Sequence, residues 1–198
     1  MLCSRAGDAE KAVLRRAGRR RWGVPQKQRM NKKEPVRMKV YLESTISSYY
    51  TARPSADAIK ASRQAATIRW HERCSKNCDC FISRYVVVEN SNGDPECAKR
   101  RLEYIREFPV IDSDDRQVTA LAERLLKPIG DIPENEKIDA FHIAVAAIYQ
   151  MDVLLTWNCR HINNPVILPK TISEIALAGY QCPKILTPEE FMEVYDVH

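Results

Sequence analysis

No run of apolar residues in this 198-residue chain approaches the length needed to cross a bilayer. No apolar core follows the arginine cluster near its start either, so a secretory leader is not expected there. The seven cysteines are odd in number and lack the even punctuation of a small disulfide-stapled domain, which points to reduced thiols and a cytoplasmic setting. Paired metal-knuckle spacing is missing as well. His71, Cys74, Cys78 and Cys80 lie near one another, but Cys80-Phe81-Ile82 reads as a strand, and structural zinc is not the favoured reading. There is no internal repeat and no low-complexity segment. Outside its first residues the chain also lacks a basic surplus: residues 1–39 hold 13 Lys or Arg against 3 Asp or Glu, a balance of +10, and with a chain total of +5 the remainder carries −5. Overall basicity is therefore poor evidence for nucleic-acid binding by the main domain.

A 44% hydrophobic content with 29% charged residues suits a single domain with one proper core. Residues 1–37 are expected to form a basic N-terminal extension, disordered or dispensable, and residues 38–198 the folded unit. Arg15, Arg16, Arg19, Arg20 and Arg21 could bind phosphates non-specifically by counterion release, or form only a solvated arm. Met38, immediately before the first strand, is a candidate natural start.

Strand and helix patterns alternate along the rest. Val40-Tyr41-Leu42 and Val153 to Trp157 read as buried parallel strands, and residues 79–83 and 109–111 as further strands. Helices are expected over 57–74, 85–91 and 95–107, the last with Pro95 at its first position. Val118, Leu121, Ala122, Leu125 and Leu126 give an amphipathic helix that should stop before Pro128. Ile138, Phe141, Val145 and Ile148 form the core stripe of another helix, and Thr187-Pro188-Glu189-Glu190 has the capping box of a terminal one. This alternation predicts an α/β fold on a parallel sheet.

Four polar residues stand at the informative places. Glu43 and Asn158 end two strands, on the edge where open α/β sheets gather ligands. Asp139 and His142 fall together off the apolar stripe of their helix, although the helix dipole alone favours an acid in a first turn. Glu89 lies in a helical stretch where a surface glutamate is ordinary.

In order, Val40-Tyr-Leu-Glu-Ser-Thr-Ile-Ser-Ser-Tyr49, Ser83-Arg-Tyr-Val-Val-Val-Glu-Asn-Ser-Asn-Gly-Asp94, Ile138-Asp-Ala-Phe-His-Ile-Ala144 and Leu154-Leu-Thr-Trp-Asn-Cys-Arg-His161 resemble the motifs of PIN domains of the VapC type, over roughly residues 38 to 190. The resemblance implies a single-domain PIN-like parallel sheet flanked by helices. It implies that Glu43, Glu89, Asp139 and Asn158 bind Mg2+ or Mn2+, that a hydroxyl at Ser44 or Thr45 positions water, metal or phosphate, and that the protein is an endoribonuclease. It further implies an RNA substrate, the toxin role of a toxin-antitoxin pair, a small cognate antitoxin that blocks the site, and a homodimer. Two positions depart from the common pattern. Glu43 replaces the usual Asp and reaches one methylene further, and Asn158 replaces an Asp, leaving three formal negative charges and weaker metal affinity.

Such a carboxylate set can hold a hard cation through oxygen, with an amide carbonyl as a further ligand. Hydrolysis would then need no covalent enzyme intermediate. Ser44 or Thr45 equally reads as the cap of the next helix. His142 and His161 are more simply packed and hydrogen-bonded than catalytic, since the sequence shows no orienting partner, and Arg160 with His161 is placed to meet a substrate phosphate. Cys159 is a candidate redox-sensitive thiol. Two other classes remain open: a catalytically weak RNA-binding module, and a metal-dependent hydrolase of DNA or another phosphoester.

Overall fold

Short apolar runs supply five strands, and their burial shows why they assemble. Val40, Tyr41, Val153 and Leu154 are inaccessible to solvent, as expected of strands covered on both faces. In the computed structural model, which describes residues 37–111, 116–129 and 137–195, these strands are β1 (Met38–Leu42), β2 (Cys78–Ser83), β3 (Val110–Ile111), β4 (Val153–Leu155) and β5 (Lys184–Leu186). They form one sheet in the order β3-β2-β1-β4-β5. Every pairing is parallel, with Val40 against both Cys80 and Val153.

Eight described helices flank the sheet: α1 (Ser44–Thr51), α2 (Ala58–Arg73), α3 (Arg84–Ser91), α4 (Pro95–Ile105), α5 (Arg116–Ile129), α6 (Ile138–Ile148), α7 (Leu168–Leu177) and α8 (Pro188–Tyr195). Capping chemistry fixes several starts. Asp57 accepts from the Lys60 N–H at 2.9 Å, and Asp94 accepts from the Cys97 N–H at 2.9 Å ahead of Pro95. At α8 the expected capping box forms in both directions, Thr187 N–H to Glu190 at 2.7 Å and Glu190 N–H to the Thr187 hydroxyl at 3.2 Å. The fold is the α/β parallel sheet flanked by helices that the alternation predicts, consistent with a single PIN-like domain.

Boundaries differ at several places. α5 runs through Pro128 to Ile129 and does not stop before it. A proline in the last turn forfeits only its own bond to the carbonyl four residues back, so the turn still closes. β4 ends at Leu155: Thr156 N–H still bonds the Leu186 carbonyl at 2.9 Å, but the Trp157 N–H is diverted to the Thr45 hydroxyl at 2.8 Å. α7 and β5 lie in a stretch without strong periodicity and have no counterpart in the sequence reading. Residues 1–36 of the expected extension lie outside the described residues, as do the residues around Gly130. Arg37, assigned to that extension by composition, is described and docks on β2: it pairs with Asp79 at 3.3 Å and donates to the Lys76 and Cys78 carbonyls.

The His71 region is a packing cluster. His71 Nδ1 meets the Tyr104 hydroxyl at 3.1 Å, and its ring lies 4.6 Å from that of Tyr50. Burial holds the Cys78 and Cys80 thiols up at about 11 and about 12, so neither is a ready thiolate ligand. Cys159 is likewise pushed up by burial.

Behind α6 the chain turns through Gln150, which holds a φ of 54°, the left-handed region that favours glycine. Met151 N–H bonds the Ala146 carbonyl at 2.9 Å, closing the helix end. Gln150→Gly is expected to raise stability by about 0.5–1 kcal/mol, read as a higher urea midpoint at unchanged slope. A lower midpoint would mean that the glutamine side chain stabilises the turn more than its backbone strain costs.

Candidate metal site at the sheet edge

The order β3-β2-β1-β4-β5 places β1 where chain connections leave toward opposite sides of the sheet, the point at which open α/β sheets form their ligand crevice beyond the carboxyl ends of the strands. Glu43 follows β1 into this crevice. Its N–H continues the ladder to the Leu155 carbonyl at 3.1 Å, while its side chain begins α1. Sequence reading gives the α1 cap to Ser44 or Thr45; in the structure Glu43 itself is the N-cap, its Oε1 accepting the Thr45 N–H at 3.1 Å. The two hydroxyls instead donate to the same carboxylate, Ser44 at 2.7 Å to Oε1 and Thr45 to Oε2. Thr156 adds a fourth donor at 2.8 Å to Oε2. Each oxygen of Glu43 thus accepts two hydrogen bonds, close to its full capacity.

Two of these hydroxyls also tie strand ends together. Thr45 Oγ1 accepts the Trp157 N–H at 2.8 Å, and Thr156 Oγ1 accepts the Asn158 N–H at 2.9 Å. Thr156, which the sequence analysis did not single out, is a central support of Glu43. Its signal was available: a β-branched hydroxyl residue directly after an apolar strand can turn its side chain to the next loop.

Glu89 comes from α3 and meets His142 of α6, whose Nε2–H donates to Glu89 Oε2 at 2.7 Å. His142 is fully buried, and its Nδ1 lies 2.7 Å from the Tyr41 hydroxyl, which shares a 2.7 Å hydrogen bond with Ser83. A chain of side chains therefore runs Ser83, Tyr41, His142, Glu89. Burial drives the Glu89 carboxyl up, but the hydrogen bond and charge of His142 outweigh it and leave the group below its ordinary value. Conversely, burial pulls His142 down, but the Glu89 bond together with the charges of Glu89, Glu43 and Asp139 outweighs it, so the imidazole ends above its ordinary value. The sequence reading expected His142 to be simply packed; it is packed, and it also clamps one of the acids.

Asp139 sits in the first turn of α6 and is buried. His161 Nδ1–H donates to its Oδ2 at 3.0 Å, and Asn158 acts on it in the same lowering sense. The Asn158 Oδ1 is itself engaged by the His161 N–H at 3.0 Å, which folds the loop after β4 over the acid. Burial pushes the Asp139 carboxyl up and the Glu43 charge pushes it further, against the lowering effects of His142, Asn158 and His161; the net shift is upward. The Glu43 charge therefore reaches Asp139, although the ligand atoms that lie within 4.8 Å of one another are those of Glu43, Glu89 and His142.

The residues singled out in the sequence thus converge in two linked groups. Glu43 and Glu89 stand together with His142, offering ligand atoms that all lie within 4.8 Å of one another. Asp139 and Asn158 stand together with His161, joined to the first group through Thr156 and through the field of Glu43. Ligands held at roughly 2.1–2.5 Å from one ion lie no more than about 4–5 Å apart, so the first spacing fits a common cation. Both ring nitrogens of His142 are engaged within the protein, which leaves carboxylate oxygens as the natural donors. An oxygen set of this kind suits a hard divalent ion. No described helix is long and apolar enough to cross a membrane. Comparison with protein-family models, with curated proteins and with solved structures finds no match to this chain.

Proposed function

We propose that this protein is a divalent-metal-dependent endoribonuclease, with Glu43, Glu89 and Asp139 holding Mg2+ or Mn2+. The observation that carries this reading is the meeting of Glu43, from the end of β1, and Glu89, from α3, within 4.8 Å at the carboxyl edge of a parallel sheet, with the Asp139 carboxyl of α6 responding to the Glu43 charge. Their order along the chain is that of the VapC-type PIN motifs they resemble. A bound ion would supply an acidified water and neutralise charge developing on the phosphate oxygens. The chain's own residues do the rest. Ser44, Thr45 and Thr156 fix the Glu43 carboxylate in one orientation, His142 fixes Glu89, and His161, itself held by Asn158, fixes Asp139. Asp139, held by His161, would complete the oxygen set around the ion. Asn158 acts in this reading mainly through Asp139, because its carbonyl already accepts a backbone N–H. RNA as substrate, the role of toxin, a cognate antitoxin and a homodimer belong to the same proposal.

One observation favours a second reading. Both oxygens of Glu43 are filled by protein donors, so an ion must displace a hydroxyl, and a catalytically weak RNA-binding module would look the same. Incubating the full chain and its Asp139→Asn variant with single-stranded RNA, structured RNA and DNA, in manganese, magnesium or chelator, separates the readings. The nuclease reading expects cutting of RNA that needs the cation and disappears in the variant. Binding of RNA without any cutting would support the module, and preferential cutting of DNA would transfer the activity to another phosphoester.

A further inference from the structure

One face of the molecule beside the acidic crevice holds a preformed cleft of about 350 Å³, lined by Ser48, Tyr49, Ala52, Arg53, Ser55, Lys60 and Gln64. Its walls come from the last turn of α1, the loop that follows, and the first turns of α2. The floor is fixed by buried Gln64, whose Nε2 donates to the Arg53 carbonyl at 2.8 Å and whose Oε1 accepts the Ser55 N–H at 3.0 Å. Arg53 and Lys60 are exposed at its rim, and neither has an ion-pair partner among the described residues. Tyr49 supplies an aromatic wall. Arg63 extends the basic character of this face, with its guanidinium 5.9 Å from the Tyr49 ring centroid and 5.3 Å from that of Trp157.

The cleft is linked to the acidic site through α1 and Trp157. Tyr49 follows Thr45 by four residues on α1, about 6 Å along the helix axis. Its ring lies 5.8 Å from that of Trp157, whose N–H bonds the Thr45 hydroxyl that in turn holds Glu43. The domain as a whole carries net negative charge, so cations without local acidic partners, set beside an aromatic wall, are a specific local provision.

We propose that this cleft receives an unpaired nucleotide next to the scissile bond, with its base against Tyr49 and its backbone phosphates at Arg53 and Lys60. Aromatic walls with flanking cations are how single strands are held without base-specific readout. A duplex, whose bases are already stacked within it, cannot offer a base to the cleft. The inference rests on the nuclease reading and deepens it by naming the subsite that holds the strand beside the scissile bond.

Binding of a short fluorescent single-stranded RNA to the full chain, measured by anisotropy in chelator over a range of salt, tests it. Arg53→Ala and Lys60→Ala are each expected to weaken binding severalfold and to reduce the salt slope by about 0.7, the signature of one lost phosphate contact on a single strand. Tyr49→Leu is expected to weaken it roughly tenfold with an unchanged slope, as lost stacking does. The same strand annealed into a duplex should bind more weakly. Wild-type affinity in all three variants overturns the proposal, as does equal binding of polyglutamate, which would show only a pair of cations. Thermal unfolding of the Tyr49 variant excludes a folding defect, and the two exposed basic positions carry the test if it fails that control. Cleft-independent binding with cation-dependent cutting would sink the cleft and leave the nuclease reading standing; cleft-dependent binding without cutting would do the reverse.

Discussion

Glu43→Gln is expected to abolish cation-dependent cutting, by a hundredfold or more, and to lower stability by about 1–3 kcal/mol. Two opposing effects set the sign of the stability change. Neutralising Glu43 relieves its repulsion with Glu89, whose ligand atom lies within 4.8 Å; for an isolated pair of charges this is roughly 3–4 kcal/mol at an effective dielectric of about 20. The Glu89 charge is not isolated, however, because His142 donates to it at 2.7 Å and is held toward its protonated form, so most of that repulsion is already cancelled. Against the small remainder stand four donors aimed at two oxygens. A glutamine can turn its carbonyl toward Ser44 Oγ and Thr45 N, but its NH2 then confronts the Thr45 and Thr156 hydroxyls, whose oxygens already accept from Trp157 N and Asn158 N. Leaving such buried donors without acceptors costs about 1–3 kcal/mol, and that term wins. Equilibrium urea unfolding and initial cleavage rates check both halves. A variant more stable than wild type would mean that repulsion dominates and that the pocket is strained without its ion. Cutting at the wild-type rate would remove Glu43 from the site. The Asp139 carboxyl, raised in part by the Glu43 charge, should also titrate lower in this variant.

What the sequence discloses here is whatever depends on neighbours along the chain. Val40-Tyr41-Leu42 reads as a strand because three adjacent residues say so, and Thr187-Pro188-Glu189-Glu190 reads as a helix start because a capping box is complete within four residues. Glu43 and Asp139 were legible for a related reason: each is a charged residue at the end of an apolar pattern that fixes its position. The supports of the site were not. His142 has no orienting partner within its own helix; its partners Glu89 and Tyr41 arrive from 53 and 101 residues away. Thr156 stands 113 residues from the carboxylate it holds. Tyr41 looks like one more apolar strand residue until the sheet turns its hydroxyl toward α6, although a buried tyrosine generally signals a polar partner somewhere. The cleft depends on packing the last turn of α1 against α2, which periodicity does not specify, and the weakly patterned α7 and β5 became visible only when the sheet gave them a place.

His142→Leu is expected to destabilise the protein by about 2–3 kcal/mol, with a pH dependence that packing alone would not produce. Leucine fills a similar volume, so the cost lies in what is left behind. The Tyr41 hydroxyl retains Ser83 as a partner, but Glu89 loses the N–H that offsets its burial. Removing one member of a buried ion pair costs about 3–5 kcal/mol, and the value here is reduced because the Glu89 side chain is 27% exposed. The sign at each pH follows from the two shifts. His142 is raised in the folded protein, so its contribution is complete below the ordinary histidine value of about 6.5 and is lost as pH rises through the folded one. Glu89 is lowered, so its contribution is complete above the ordinary glutamate value of about 4.3 and is lost as pH falls through the folded one. The stability difference between wild type and variant should therefore be greatest between about pH 4.3 and 6.5 and shrink on either side. Urea unfolding of both proteins in chelator across this range is the measurement. A constant difference would mean that His142 is neutral throughout and only fills space, and Glu89 would then need another group to keep it ionised and in position beside Glu43.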